Sequence, residues 1–206
     1  MRQSELENYI YVDTVSYRYP DSDIDVFRDF SASFPIKKRT AILARSGSGK
    51  TTLLHLLAGL IKPTGGEIRY PADMDKAPSF SMVFQENRLL EYRSVLKNIK
   101  LAAGNVSDAS IDEMLKRAGI FPCRNKKISA LSGGEKRRCA IVRALLAEYD
   151  ILLLDEPFTA LDSETRNTMM KLVDDHTADK TMILVTHNES EADFFRCENM
   201  LILPLK

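Results

Sequence analysis

A chain of 206 residues with 44% hydrophobic and 28% charged residues has enough apolar material to bury a core, and its composition excludes a disordered or fibrous protein. Its 29 Lys plus Arg match 29 Asp plus Glu, so it lacks the basic excess of a general nucleic-acid binder. The N-terminus has no apolar signal core, no apolar run approaches the roughly 20 residues of a membrane helix, and Cys123, Cys139 and Cys197 stand too far apart for a CxxC site, which reads as free thiols in a reducing compartment.

In chain order, short alternating stretches at 9–12, 15–19 and 30–34, broken by turn residues at 20–23 and at Pro35, predict a small antiparallel sheet. The pattern then changes. Residues 40–43 predict a buried strand, 46–49 a loop, 50–60 a helix with Leu53, Leu54, Leu56, Leu57 and Leu60 apolar, and 63–66 a turn. The stretch 95–117 predicts helix. A strand–helix alternation follows: helix 134–146, strand 151–154, helix 163–176, strand 182–185, helix 189–195 and strand 200–203. Strands alternating with helices predict a mostly parallel sheet covered on both faces.

Between the strand at 40–43 and the next helix lies Ser46-Gly47-Ser48-Gly49-Lys50-Thr51-Thr52. This is the setting of a P-loop, in which glycines let consecutive N–H groups curl toward phosphate oxygens and the helix start adds partial positive charge. Lys50 is placed to reach β- and γ-phosphates, and the Thr51 hydroxyl to ligate Mg²⁺. Ala44 stands where the motif has its first glycine, and Arg45 and Ser46 open the candidate phosphate contacts.

The apolar run 151–154 ends in Asp155-Glu156-Pro157. Ligands in open α/β sheets sit beyond the carboxyl ends of the strands. Asp155 is therefore the candidate Mg²⁺ carboxylate and Glu156 the candidate base that polarises an attacking water.

Leu131-Ser132-Gly133-Gly134-Glu135 resembles the LSGGQ signature of ABC ATPases, with Glu135 in place of glutamine. Further elements of that family stand in order. Gln85 follows Met82-Val83-Phe84 like the Q-loop glutamine, Ala160-Leu161-Asp162 looks like the D-loop, and His187 follows Val185-Thr186 like the switch histidine. Tyr19, upstream of the P-loop, is similar in place to the aromatic that stacks on adenine, with Tyr17 two residues away as the weaker choice.

The resemblance implies an α/β P-loop NTPase core with a mostly parallel sheet, an N-terminal antiparallel β subdomain and a small α-helical subdomain at about 86–140, all in one domain over 1–206. It implies ATP and Mg²⁺ as ligands, with Gln85 near the metal or the attacking water and His187 sensing the γ-phosphate. Ser132, Gly133, Gly134 and Glu135 would cap ATP bound to a second copy, so that two chains form a homodimer around two nucleotides.

Gln85-Glu86-Asn87-Arg88-Leu89-Leu90-Glu91-Tyr92 looks like the QExRLLPW pattern of import subunits for nitrate, sulfonate and taurine, departing from it at Glu91-Tyr92. This implies a cytoplasmic protein, peripheral on the membrane, whose permease subunits are separate chains and whose system includes a solute-binding protein. Leu89, Leu90 and Tyr92 are read either as a partner-facing patch or as packing beneath the helical region. The rival reading is a soluble repair or regulatory ABC module. The stretch from 85 to 131 leaves room only for a small helical subdomain and shows no sustained heptads.

Overall fold

The computed structural model describes residues 8–43, 47–71 and 78–203. The chain divides into two compact units, Met1–Ser79 with Asp179–Lys206 and Phe80–Ala178.

The first unit opens with β1 (Tyr9–Arg18) and β2 (Asp25–Pro35), an antiparallel pair in which Ile10 faces Phe34 and Val12 faces Ala32. In β1 buried and more exposed residues alternate, as expected of a strand with one face on a core. Its other neighbour is β4 (Gly65–Arg69), with Val12 opposite Ile68. The sequence reading took 63–66 as a turn and no strand after it; the glycine-rich, polar β4 is a strand only because β1 supplies its ladder. β3 (Arg39–Leu43) lies between β7 (Thr181–Thr186) and β8 (Asn199–Ile202), parallel to both. Every residue of β7 is buried, which explains its unbroken apolar run.

Helix α1 (Lys50–Leu57) follows β3. It stops short of the expected Leu60 because Gly59 adopts φ +67°, closing the last turn with a Leu60 N–H bond to the His55 carbonyl. Helix α6 (Glu189–Phe194) follows β7.

The second unit pairs β5 (Phe80–Val83) with β6 (Ile151–Asp155) in parallel, Val83 opposite Leu154. β5 was not among the expected strands; Ser81 breaks its apolar run, so it lacks the unbroken pattern of β6. The expected single helical stretch at 95–117 is two helices, α2 (Val95–Lys100) and α3 (Asp108–Arg117). Ser107 interrupts it, its side chain accepting the Ser110 N–H and so starting a new helix. Helix α4 (Gly133–Leu145) buries Cys139, Ile141, Val142 and Leu145, and α5 (Ser163–His176) buries Met169, Met170 and Val173. Three buried thiols or near-buried thiols remain free: Cys123, Cys139 and Cys197.

Candidate active site

In the first unit, Leu43 of β3 lies opposite Thr186 of β7 in a parallel pair. The chain leaving each strand therefore emerges at the same carboxyl edge, where open α/β sheets receive ligands. β3 leads to the loop before α1, and β7 leads to His187, which is exposed. Gly47 and Gly49 adopt φ +84° and +90°, the left-handed region that a curled phosphate loop needs. A Cβ on Gly49 would lie 2.8 Å from Val26 Cγ1 and 3.0 Å from Phe27 Cζ, so β2 leaves room for glycine alone.

Gly49 is the N-cap of α1, and no side chain caps the helix start. The first-turn N–H groups are the donors that an anion satisfies. Lys50 begins the helix, and Lys50, Ser48 and Thr52 are all buried, with Thr51 partly so. Arg45 and Ser46 lie outside the described residues.

The Tyr19 hydroxyl is 2.9 Å from the Thr52 hydroxyl, which ties the end of β1 to α1. Tyr19 keeps 41% of its surface exposed, whereas Tyr17 is buried at 7%. Of the two rings, Tyr19 is the one with a face open for stacking. The chain around His187 is held by Thr186, whose hydroxyl donates to the Glu191 carboxylate at 2.7 Å and accepts the Asn188 N–H at 3.0 Å. Glu191 is buried.

In the second unit, the Val83–Leu154 pairing sends Gln85 and Glu156 off one edge of β5 and β6. Gln85 is exposed, Asp155 fully buried and Glu156 half-buried. Glu156 adopts φ +44°, a left-handed conformation that costs a non-glycine residue on the order of 1–3 kcal/mol and collects at functional sites.

Helix α4 begins at the signature. The Ser132 Oγ accepts the Glu135 N–H at 3.2 Å and Glu135 Oε2 accepts the Ser132 N–H at 2.7 Å, a capping box. Cys123 Sγ donates to Glu135 Oε1 at 3.1 Å. The Ser132 N–H, then the Cys123 thiol, hold the Glu135 carboxyl down at about 2; burial and that carboxylate push the Cys123 thiol up. A Cβ on Gly133 would meet nothing within 4 Å, so the backbone there faces open space. Ser132 thus spends a lone pair on its own helix. Asp162 caps α5, accepting the Thr165 N–H at 3.0 Å, and that bond holds its carboxyl below the usual range.

The sequence reading missed Arg137 on α4, which is buried at 4% exposure. Its guanidinium donates to the carbonyls of Phe84 at 2.6 Å and Gln85 at 3.3 Å, of Asp155 at 3.0 Å and Glu156 at 2.5 Å, and of Pro157 at 2.7 Å. Burial pushes it down to about 10, while the charges of Asp155 and Glu156 pull the other way. The signal was present: Arg137 lies four and seven residues before the buried Ile141 and Ala144, on the inward stripe of a helix. Arg143 was also missed; it donates to the carbonyls of Arg88 at 2.8 Å and Asn87 at 3.3 Å.

A family model described as ABC transporter matches residues 27–159. The chain is 41% identical over 173 residues, 82% of its length, to an aliphatic sulfonates import ATP-binding protein of Pseudomonas savastanoi, and spans 64% of that relative. It is 37% identical to another such protein of Rhodococcus jostii, covering 90% of this chain and 76% of the relative. It is 36% identical to a taurine import ATP-binding protein of Pseudomonas entomophila, covering 94% and 78%. Among solved structures, a bacterial Atm1-family ABC exporter with ATP bound superposes with a TM-score of 0.83 at 26% identity, covering 96% of this chain and 37% of the exporter chain. A phosphate-loop helix with an uncapped start, a capped signature helix and these relatives agree, and the chain belongs to the ABC transporter family.

Proposed function

We propose that this chain is the ATP-binding and ATP-hydrolysing subunit of an ABC importer, working with permease subunits carried on separate chains. The observation that carries the reading is the start of α1: left-handed Gly47 and Gly49, no capping side chain, and Lys50 directly behind. Such a start binds the terminal phosphates of a nucleotide through backbone N–H groups, helix dipole and one ammonium.

In this reading Arg45, Ser46, Gly47, Ser48, Gly49, Lys50, Thr51 and Thr52 hold the phosphates and Tyr19 stacks on the base. Asp155, Thr51 and Gln85 hold Mg²⁺; all three offer oxygen, the donor set that suits this hard cation. An ion held by these residues would supply positive charge to offset the negative charge of the terminal phosphates. Glu156 accepts the proton of the attacking water as the new oxygen–phosphorus bond forms and the bond to the β–γ bridging oxygen breaks, releasing ADP. His187 donates to the γ-phosphate, and Ser132, Gly133, Gly134 and Glu135 of one copy close over the nucleotide of the other. The whole of 1–206 acts as one ATPase domain, with its helical subdomain at about 86–140.

No helix among the described residues is long and apolar enough to cross a membrane. In this reading the permeases carry the membrane attachment, and the chain sits on their cytoplasmic face. Relatives named for sulfonate and taurine import support the import direction. The proposal includes a solute-binding protein in the same system. Choice of solute belongs to those partners.

The test is Mg·ATP turnover by the purified chain beside Glu156→Gln. The wild type hydrolyses ATP, and the variant keeps nucleotide affinity but loses about 10²- to 10³-fold in kcat. Failure of the wild type to bind Mg·ATP, or unchanged turnover in the variant, sinks the reading.

A further inference from the structure

Resting on the assignment of Gln85 and Glu156 just made, we propose that Arg137 is a positioning residue for hydrolysis: one buried guanidinium on the signature helix holds the two strand ends that carry Gln85 and Glu156 in a single fixed arrangement.

The geometry is specific to a planar fork. Nε donates to the Pro157 carbonyl, Nη2 to those of Asp155 and Glu156, and Nη1 to those of Phe84 and Gln85. Three consecutive carbonyls, from the last residue of β6 and the two that follow it, converge on one side chain, which an extended chain does not allow. The turn exists because Glu156 adopts φ +44°. A backbone held in that sparsely populated region needs surroundings that over-determine it. Arg137 supplies three of those restraints, and its remaining donors fasten the segment after β5 at the same time.

The segment from Phe84 to Arg93 contains no helix or strand. Besides Arg137, Arg143 from two turns further along α4 binds the carbonyls of Asn87 and Arg88. Helix α4 therefore grips the Gln85 segment at two places and the Glu156 turn at one. The same helix starts at Ser132, which is exposed, and the backbone at Gly133 faces open space. A displacement of that helix start is transmitted through a stiff rod and one side chain to the backbone of both Gln85 and Glu156, without a hinge in between. Lysine in place of Arg137 keeps the charge but is a single point donor and cannot span five carbonyls in one plane.

The test compares Arg137→Lys with wild type and with Glu156→Gln in the full chain. The readouts are kcat, nucleotide dissociation constant, thermal midpoint and amide hydrogen exchange of peptides covering 84–88 and 155–160. Arg137→Lys lowers kcat about 10- to 100-fold, the scale of an ångström-level misplacement. Nucleotide affinity stays within about 3-fold, and exchange rises in both peptides together. A second variant, Arg137→Ala, regains part of its kcat on adding ethylguanidinium but not ethylammonium. Wild-type kcat in Arg137→Lys, or equal losses of affinity, kcat and thermal midpoint, overturns the positioning role while Glu156→Gln remains inactive. If Glu156→Gln itself turns over normally, the functional assignment falls first and the positioning role falls with it.

Discussion

Glu135 stands where the family signature has glutamine, and its carboxylate is occupied. It accepts the Ser132 N–H at 2.7 Å and the Cys123 thiol at 3.1 Å, which together hold it at about 2, below its ordinary 4.5. A carboxyl depressed in the folded state takes up protons more readily when the chain unfolds, so acid favours unfolding. Its contribution is complete above about pH 4.5 and is lost as pH falls toward 2. Glu135→Gln should therefore cost about 1 kcal/mol at neutral pH, the size of a helix cap. In denaturant titrations at stepped pH, that gap between wild type and variant closes between pH 4.5 and 2; a gap that widens in acid contradicts the capping role. At this scale what was legible was placement: Lys50 does open a helix behind a left-handed Gly49, and Asp155 does end a buried strand. The sequence was opaque at Arg137 and Cys123, because their roles depend on which carbonyls or carboxylates a fold brings near.

Among the elements, the segment 84–93 shows how irregular chain is kept in place. Asn98, almost wholly buried, accepts the Leu90 N–H through Oδ1 at 2.7 Å and donates through Nδ2 to the carbonyls of Leu90 at 3.2 Å and Ser94 at 3.0 Å. One amide thus does for Leu90 what a neighbouring strand would do. Asn98→Ala leaves these backbone groups without that partner and should cost about 2–3 kcal/mol, read as a lowered urea midpoint at unchanged slope. A loss below about 0.5 kcal/mol would mean that water replaces the amide at no cost. Leu90 and Tyr92 in this segment are 50% and 87% exposed and so do not pack beneath the helices, while Leu89 is half-buried. Long buried strands such as β6 and β7 were legible as apolar runs, and α5 was found at its observed bounds. β4 and β5 were not, since Gly65-Gly66-Glu67 and Ser81 break up their apolar pattern and only the neighbouring strand defines them.

For the molecule as a whole, the order of phosphate loop, glutamine, signature, acid pair and histidine carried the expectation of the family, and the family model matches residues 27–159. The division into two compact units, the first made from both ends of the chain, was not legible, because it depends on β7 and β8 returning to flank β3. The signature turn that faces open space, with Ser132 and Gly133 both exposed, leads to the expectation that a second copy covers it. Glu156→Gln with Mg·ATP should sediment as a dimer, and the same protein without nucleotide as a monomer. Adding Ser132→Arg should abolish the dimer while leaving nucleotide affinity within about 3-fold, because the serine would contact only the partner's phosphate. An unaltered dimer in the double variant refutes that interface.

The left-handed backbone at Glu156 couples two properties in one residue. Glycine or asparagine would sit there more comfortably, yet neither carries a carboxylate. Under the proposed role, the side chain that would serve turnover is attached to a backbone that the fold holds at a cost, so relaxing that backbone and keeping the carboxylate are alternatives at this position.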